Sequence, residues 1–141
     1  MPTETTAAAR WLYGVLSGDA ALAALCGGRV FAYRVPIGKP MPCVVFQMQG
    51  ARPDSRPVGA SRVASRMAFV VKAVSQGADL IAIRPIADRI DRLIEAAGGT
   101  NVDGVVAQCV RETPVEYLEL GDNGVDYAHL GGLYRLTVVG A

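Results

Sequence analysis

The chain has 141 residues and a formal net charge of +1, and hydrophobic residues make up 51% of it. A chain of this length fits one domain, residues 1–141, and its near-neutral charge argues against nucleic-acid binding through overall charge. Its mean hydropathy of +0.28 is high for a small soluble domain, but no apolar run is long enough to cross a bilayer. The surplus of apolar residues predicts contacts between subunits.

The beginning of the chain and its cysteines indicate where it is made. Glu4 and the absence of a basic cluster predict no signal peptide, and hence a protein that is made and used in a cytoplasm. The three cysteines are odd in number and widely spaced, which argues against a disulfide framework and against a zinc site. They are interpreted as small core residues.

Two short helices are expected first. Apolar residues between about 5 and 17 share one helical face, and Trp11 is the largest of them. Asp19 is a suitable cap for a second helix over 19–25, which Gly27 and Gly28 end.

Three stretches then have strand character. They cover 29–35, 43–49 and 67–75, and the third is apolar on nearly both faces, as a central strand would be. Residues 50–63 contain prolines, glycines and serines without an apolar period, so they predict a long mobile loop.

The strongest helical pattern follows at 79–97. Isoleucines recur at helical spacing, Asp79 is a suitable N-cap, and Gly98 and Gly99 are suitable stops. At about 1.5 Å per residue this helix would be roughly 28 Å long. Pro85 removes one backbone donor and predicts a kink or a restart.

The last third of the chain reads as strands. One covers 101–112 and is interrupted by Pro114 before it resumes over 115–120. A turn follows at 121–124, and a bulge is predicted at Gly131 and Gly132 before a final strand over 133–139. The predicted fold is therefore α+β. It has a mainly antiparallel sheet of about four to five strands, with the N-terminal helix and one long helix on one face. The other face is expected to be covered by a second subunit.

No residues form a catalytic pattern. The only histidine, His129, is interpreted as structural or on the surface, and no cofactor motif is present, so neither an enzyme nor a cofactor is predicted. The acidic residues around Gly124 superficially resemble a calcium loop but lack its later bidentate glutamate. A hairpin turn at Asn123 and Gly124 is the favoured interpretation, with no metal.

Charge is divided between two parts of the chain. Residues 29–72 contain eight basic residues and one acidic residue, whereas residues 103–126 contain six acidic residues and one basic residue. Such parts can complement each other within a subunit or between neighbours. The candidate interface residues are Arg52, Arg56, Arg62, Arg66, Glu116, Glu119 and Asp122.

Several segments together carry a family resemblance. They are Asp19-Ala20-Ala21-Leu22, Gly28-Arg29-Val30-Phe31, Pro40-Met41-Pro42-Cys43-Val44-Val45-Phe46, Met67-Ala68-Phe69-Val70-Val71-Lys72-Ala73-Val74, and the run from Tyr127 to Val139. In these segments the chain resembles the tail-completion, or tail-terminator, proteins of long-tailed bacteriophages and related prophage-derived particles. Pro85 departs from the pattern, since it lies inside the expected helix.

The resemblance implies a structural virion protein of the tail, at the head–tail junction, synthesised in the host cytoplasm. It implies a ring of identical subunits, commonly a hexamer, that caps the head-proximal end of a tail tube and joins it to the head connector. The genome DNA would pass through the channel without sequence-specific binding, and no membrane is involved. The resemblance carries no catalytic residues.

Three alternatives remain open. The first is a head-closure or minor tail protein of the same junction. The second is a small-molecule-binding or enzymatic α+β domain, which predicts a pocket with converging polar groups. The third is nucleic-acid binding through the arginines of 50–63, against which stands the lack of an aromatic residue there for base stacking.

Overall fold

The computed structural model describes residues 2–59, 61–122 and 124–140, and of Pro2 only the backbone. Three helices and six strands are found in this part of the chain. They are, in order, α1 (Pro2–Ser17), α2 (Ala20–Cys26), β1 (Val30–Ala32), β2 (Cys43–Ser55), β3 (Ala64–Gln76), α3 (Arg84–Ile94), β4 (Ala97–Asn101), β5 (Gly104–Leu120) and β6 (Asp126–Gly140).

The six strands form one sheet in the order β1-β2-β3-β6-β5-β4. β1 runs parallel to β2, and every other neighbouring pair is antiparallel. The predicted α+β class and mainly antiparallel sheet are confirmed, but the count of four to five strands is wrong. The strand predicted at 29–35 is only three residues long, and β4 was not recognised because its sequence lacks an alternating apolar pattern.

All three helices pack on one face of the sheet. Trp11, Leu12 and Leu16 of α1 are buried there, and so are the isoleucines of α3. Their partners on the sheet include Phe46, Phe69, Tyr134 and Leu136. Burial of this apolar surface is the main term that stabilises the fold.

α3 is shorter than predicted. It begins at Arg84 rather than near Asp79 and has 11 residues, about 16 Å at 1.5 Å per residue. Pro85 lies in its first turn, where a missing N–H leaves no hydrogen bond unmade, so neither a kink nor a restart results. The carboxylate of Asp79 accepts hydrogen bonds from the N–H groups of Ile81 and Ala82 at 3.0 and 3.2 Å. Asp79 therefore caps a turn that precedes the helix.

Gly98 and Gly99 do not stop this helix, which was the prediction. α3 ends at Ile94, and both glycines lie in β4. A Cβ on Gly99 would lie 2.8 Å from Nε1 of Trp11, and one on Gly98 would collide with the carbonyl oxygen of Val106. The two glycines let β4 approach β5 and α1 closely.

The predicted loop at 50–63 is mostly a hairpin. β2 continues to Ser55 and β3 begins at Ala64, so only residues 56–63 lie outside the strands, and residue 60 is outside the described part. Arg52 pairs with Arg66 and Ser55 pairs with Ala64, with register shifts between these pairs. The apolar period is absent because most of these side chains are exposed or half-buried. Mobility of the tip stays a prediction.

Two further predictions in the last third were wrong. β5 continues through Pro114, and the β3–β6 register is unbroken at Gly131 and Gly132. A Cβ on Gly131 would collide with the backbone of Val71 and Lys72, so this glycine allows a close approach of two strands. The register shifts between β5 and β6 lie instead in β5, at Ala107 and at Glu112. The turn after β5 is confirmed by a hydrogen bond from Gly121 N to the Val125 oxygen at 2.8 Å, while Asn123 lies outside the described residues.

Candidate assembly surface

The sheet face opposite the helices is concave. Lys72 Nζ on β3 donates to Tyr117 Oη on β5 at 2.6 Å, although β6 lies between these strands. Arg52 on β2 reaches Glu112 on β5 at 2.7 Å, across both β3 and β6. In a flat sheet those two strands would be roughly 14 Å apart. The sheet therefore curls around this face.

The chain covers part of this concave face itself, where cover by a second subunit was expected. Val45 and Val74 are buried there beneath Phe31, Val35 and Met41. The segment 33–42 therefore covers the concave face at the end of the sheet where His129 lies. Beside it lies an open groove of about 550 Å³ that includes Lys72, Tyr117 and His129.

The predicted arginines lie around the β2–β3 tip. Arg52 pairs with Glu112, Arg62 pairs with the buried Glu4 at 2.8 Å, and Arg66 donates to Ser55 Oγ at 2.7 Å. Arg56 is exposed. A backbone hydrogen bond to the Glu4 carboxylate, together with the contact to Arg62, holds the pKa of Glu4 below its usual value despite its burial.

The predicted acidic residues lie around the β5–β6 turn. Glu116 and Asp122 are exposed, whereas Glu119 is paired with His129 Nε2 at 2.9 Å. His129 also stacks on Tyr117, with ring centroids 4.3 Å apart. Its side chain is 8% exposed, and burial lowers its pKa. His129 is thus a buried residue of the sheet, as one of its two interpretations held.

The two candidate charge groups lie at opposite ends of the sheet. The β2–β3 tip is beyond Ser55, whereas the β5–β6 turn is beyond the row in which Gln76 pairs with Tyr127. Among the described residues no hydrogen bond or ion pair joins the four arginines to Glu116, Glu119 or Asp122. These arginines therefore do not pair with these carboxylates within one subunit, whereas the basic and acidic parts of the chain do meet there through Arg52 and Glu112.

Sequence reasoning missed one feature of the sheet. The outer edges of β2 and β5 are only partly paired with β1 and β4. β1 pairs with residues 44–46 of β2, and β4 pairs with residues 104–109 of β5. Residues 47–55 of β2 and 112–120 of β5 have no partner strand on their outer side in the part of the chain that the structure describes. These two segments are called the β2 edge and the β5 edge below. Pro53 and Pro114 were available signals, because proline inside a sheet marks an outer strand.

A second groove lies between α3 and β5, with a volume of about 640 Å³. Its polar groups bind one another: Tyr134 Oη donates to Asp91 Oδ1 at 2.7 Å, and Arg111 lies 3.9 Å from the same oxygen. Burial raises the pKa of Tyr134 far above its usual range, so its hydroxyl stays protonated. These contacts stabilise the packing of α3 on the sheet.

The described residues hold no cluster of three or more His, Cys, Asp or Glu side chains that would suit a metal ion. All three cysteines are buried, and burial raises the pKa of Cys43 to about 11 and that of Cys109 to about 12. These thiols are therefore neutral core groups. Over the same residues, no helix combines the length and apolar character that a membrane span requires.

Comparison with known proteins relates this fold to tail proteins. The family model described as "Tail completion protein gp17" matches residues 10–139. A chain of the solved structure described as "Virion of native gene transfer agent (GTA) particle" shares the fold. Its TM-score is 0.66 at 18% sequence identity, with 92% of each chain covered. No curated protein sequence matches the chain.

Proposed function

We propose, from the premise that the chain belongs to the family of tail completion proteins represented by gp17, that it forms a ring at the head-proximal end of a tail tube. Membership makes the chain a structural protein of a phage-type virion tail. The proposal adds the ring, the joint to the head connector and an open channel for the genome DNA. A hexamer is the proposed subunit number.

The observation that carries this proposal is the incomplete sheet. The β2 edge and the β5 edge lie on opposite sides of one subunit, so contact between them is head-to-tail rather than self-complementary. A head-to-tail contact closes into a ring when the rotation between copies allows it. A ring is the shape that an end cap with a channel requires.

The charge distribution supports the same arrangement. The β2–β3 tip carries Arg56 and Arg66, whereas the β5 side carries Glu116 and Asp122, all exposed. Opposite charges on opposite sides favour contact between copies in one orientation and disfavour contact between like sides. We propose that the side of one copy that carries these arginines faces the side of the next copy that carries these carboxylates.

Imaging of tube ends tests the proposal. Purified chain is mixed with tail tubes, and the mixture is examined by negative-stain electron microscopy before and after head connectors are added. The proposal predicts a cap at one end of each tube and connector binding only on capped ends. Tubes without caps, or chain bound to connectors but never to tubes, would contradict it. The second result would favour the head-closure alternative.

A further inference from the structure

We propose that neighbouring copies join by backbone hydrogen bonds between the β5 edge of one copy and the β2 edge of the next, as antiparallel strands. This inference rests on the proposed ring and names the contact that closes it. An open strand side offers rows of N–H and C=O groups that a second strand can satisfy. Each edge is nine residues long, so the two match in length.

The hydrogen bonds between β5 and residues 95–96 show which backbone groups of β5 point away from β6. The Cys109 oxygen accepts from Ala96 N at 2.7 Å, and Arg111 N donates to Glu95 at 2.6 Å, so both residues face away from β6. The extra residue Glu112 reverses the alternation, and Pro114 is the next outward position. The outward N–H groups of the β5 edge are therefore those of Glu116, Leu118 and Leu120.

The same reasoning applies to β2. Val44 N donates to the Arg29 oxygen and the Phe46 oxygen accepts from Tyr33 N, both at 2.9 Å, so even-numbered residues face β1. The register shift between Met48 and Gly50 reverses the alternation. Ala51 and Pro53 then face outward, and Ala51 has the N–H that Pro53 lacks.

The two edges lie diagonally across the subunit. Gln47 and Thr113 share one row of the sheet, from which the β2 edge extends towards the β2–β3 tip and the β5 edge extends towards the opposite end. Pairing the two edges over their full length displaces the next copy along the strands by about seven residues. At about 3.4 Å per residue this displacement is roughly 24 Å. Strands of a closed sheet are tilted and staggered in one direction around the ring. β1 and β4 therefore leave open the two segments that a tilted, closed sheet of many copies would use.

The charged residues of the two edges favour pairing of a β5 edge with the β2 edge of a second copy. Antiparallel pairing over the full length of the two edges places Ser55 opposite Glu112 and Ala51 opposite Glu116, so neither glutamate lies directly opposite an acidic residue. Pairing of two β5 edges would instead bring glutamates together, which is unfavourable. A second copy of this chain, in head-to-tail orientation, is thus the partner that fits.

Proline at an outward position tests the contact without touching the β5–β6 ladder. Leu118→Pro removes one outward N–H, as Pro114 already does four residues earlier, while Leu118→Ala keeps the N–H and removes the exposed side chain. Ring formation is followed by native mass spectrometry across protein concentrations, with tube protein present. We expect Leu118→Pro to raise the concentration for half-assembly by roughly tenfold or more, because a lost hydrogen bond and a steric clash act at every contact. Leu118→Ala should shift it much less.

Ala51→Pro, with Ala51→Ser as its control, is the equivalent pair on β2. Since each proline variant keeps the other edge intact, a mixture of Leu118→Pro and Ala51→Pro should form heterodimers that neither variant forms alone. Circular dichroism and thermal unfolding of each monomer check that the fold is retained. Rings of both proline variants at wild-type concentrations would overturn the edge contact while leaving the proposed ring in place. A wild-type chain that forms no ring would overturn both.

Discussion

Arg52 and Glu112 lie three strand spacings apart in the sheet, yet Nη2 of Arg52 donates to Oε1 of Glu112 at 2.7 Å. Arg135 of β6 lies 3.7 Å from the other oxygen of the same carboxylate. The contact links β2 to β5 across the concave face and draws the two sides of the sheet together.

Removing this contact should cost little stability. The Arg52 and Glu112 side chains are 38% and 23% exposed, and ion pairs at the surface contribute about 0.2–1 kcal/mol. We therefore expect Arg52→Ala to lower the free energy of unfolding of the monomer by less than about 1 kcal/mol, measured by urea denaturation. Arg62→Ala is the comparison, because its partner Glu4 is only 7% exposed and would remain as a buried charge. An equal loss in both variants would contradict this ranking.

Reversing charge at the proposed contact should weaken assembly. Arg56→Glu and Glu116→Arg each reduce the difference in charge between the two sides that we propose to meet, so we expect each to raise the concentration for half-assembly at low salt. Both charges are reversed in the double variant, which should recover part of the loss. Arg92→Glu, an exposed reversal on α3, is the control. An effect of Arg92→Glu as large as that of Arg56→Glu would show that net charge, and not the position of the charge, controls assembly.

The sequence predicted those elements whose boundaries are set by local chemistry. α2 begins after Asp19, whose carboxylate accepts from Leu22 N at 2.8 Å, and ends at Gly27 with φ of 67°, as its caps predicted. The start of α3 was misplaced because Ile83 continues the apolar period into the turn before the helix and is buried there as well. At Ile83 the helical spacing of apolar residues therefore indicates a buried side chain and not a helical backbone.

Long-range relationships explain the remaining differences. Gly98, Gly99 and Gly131 look like local breaks in a sequence, whereas each allows the close approach of a neighbouring strand or helix. The charge groups of the candidate site could be identified from sequence. The open edges could not, because they depend on where β1 and β4 end relative to their neighbours in the sheet.

Gly131 and Gly14 should respond in opposite ways to alanine. Gly131→Ala places a Cβ against the Val71 oxygen and 2.5 Å from the Lys72 Cα, so β3 and β6 must separate, at a cost of about 1–3 kcal/mol. Gly14 lies in α1 with nothing within 4 Å of a new Cβ. Gly14→Ala should stabilise the monomer by about 0.5–1 kcal/mol, since glycine is a poor helix former. Thermal unfolding measures both, and a stable Gly131→Ala variant would contradict the described strand contact.

The contact between Asp19 and Arg89 should make the stability of the folded chain depend on pH in the acidic range. The side chain of Arg89 donates to it at 2.7 and 2.9 Å, and this contact, with the hydrogen bond from Leu22 N, lowers the pKa of Asp19 from 3.8 to about 2. A lowered pKa in the folded state means that the stabilisation is complete above pH 3.8 and is lost as the pH falls towards 2.

Asp19→Asn keeps a capping side chain but removes the charge. We expect the difference in melting temperature between the wild-type and Asp19→Asn chains to be largest above pH 4 and to shrink as the pH approaches 2. Arg89→Gln should behave in the same way, and adding it to Asp19→Asn should cost little more, because one contact is lost in each case. A constant difference from pH 7 to pH 2 would show that the ion pair does not link α2 to α3 in solution.

A cryo-electron microscopy reconstruction of the chain on tail-tube ends tests the central claim most directly. We predict identical copies around an open channel, with strand density continuous from residues 112–120 of each copy to residues 47–55 of the next. A single copy on the tube end, or copies arranged without a channel, would contradict the ring.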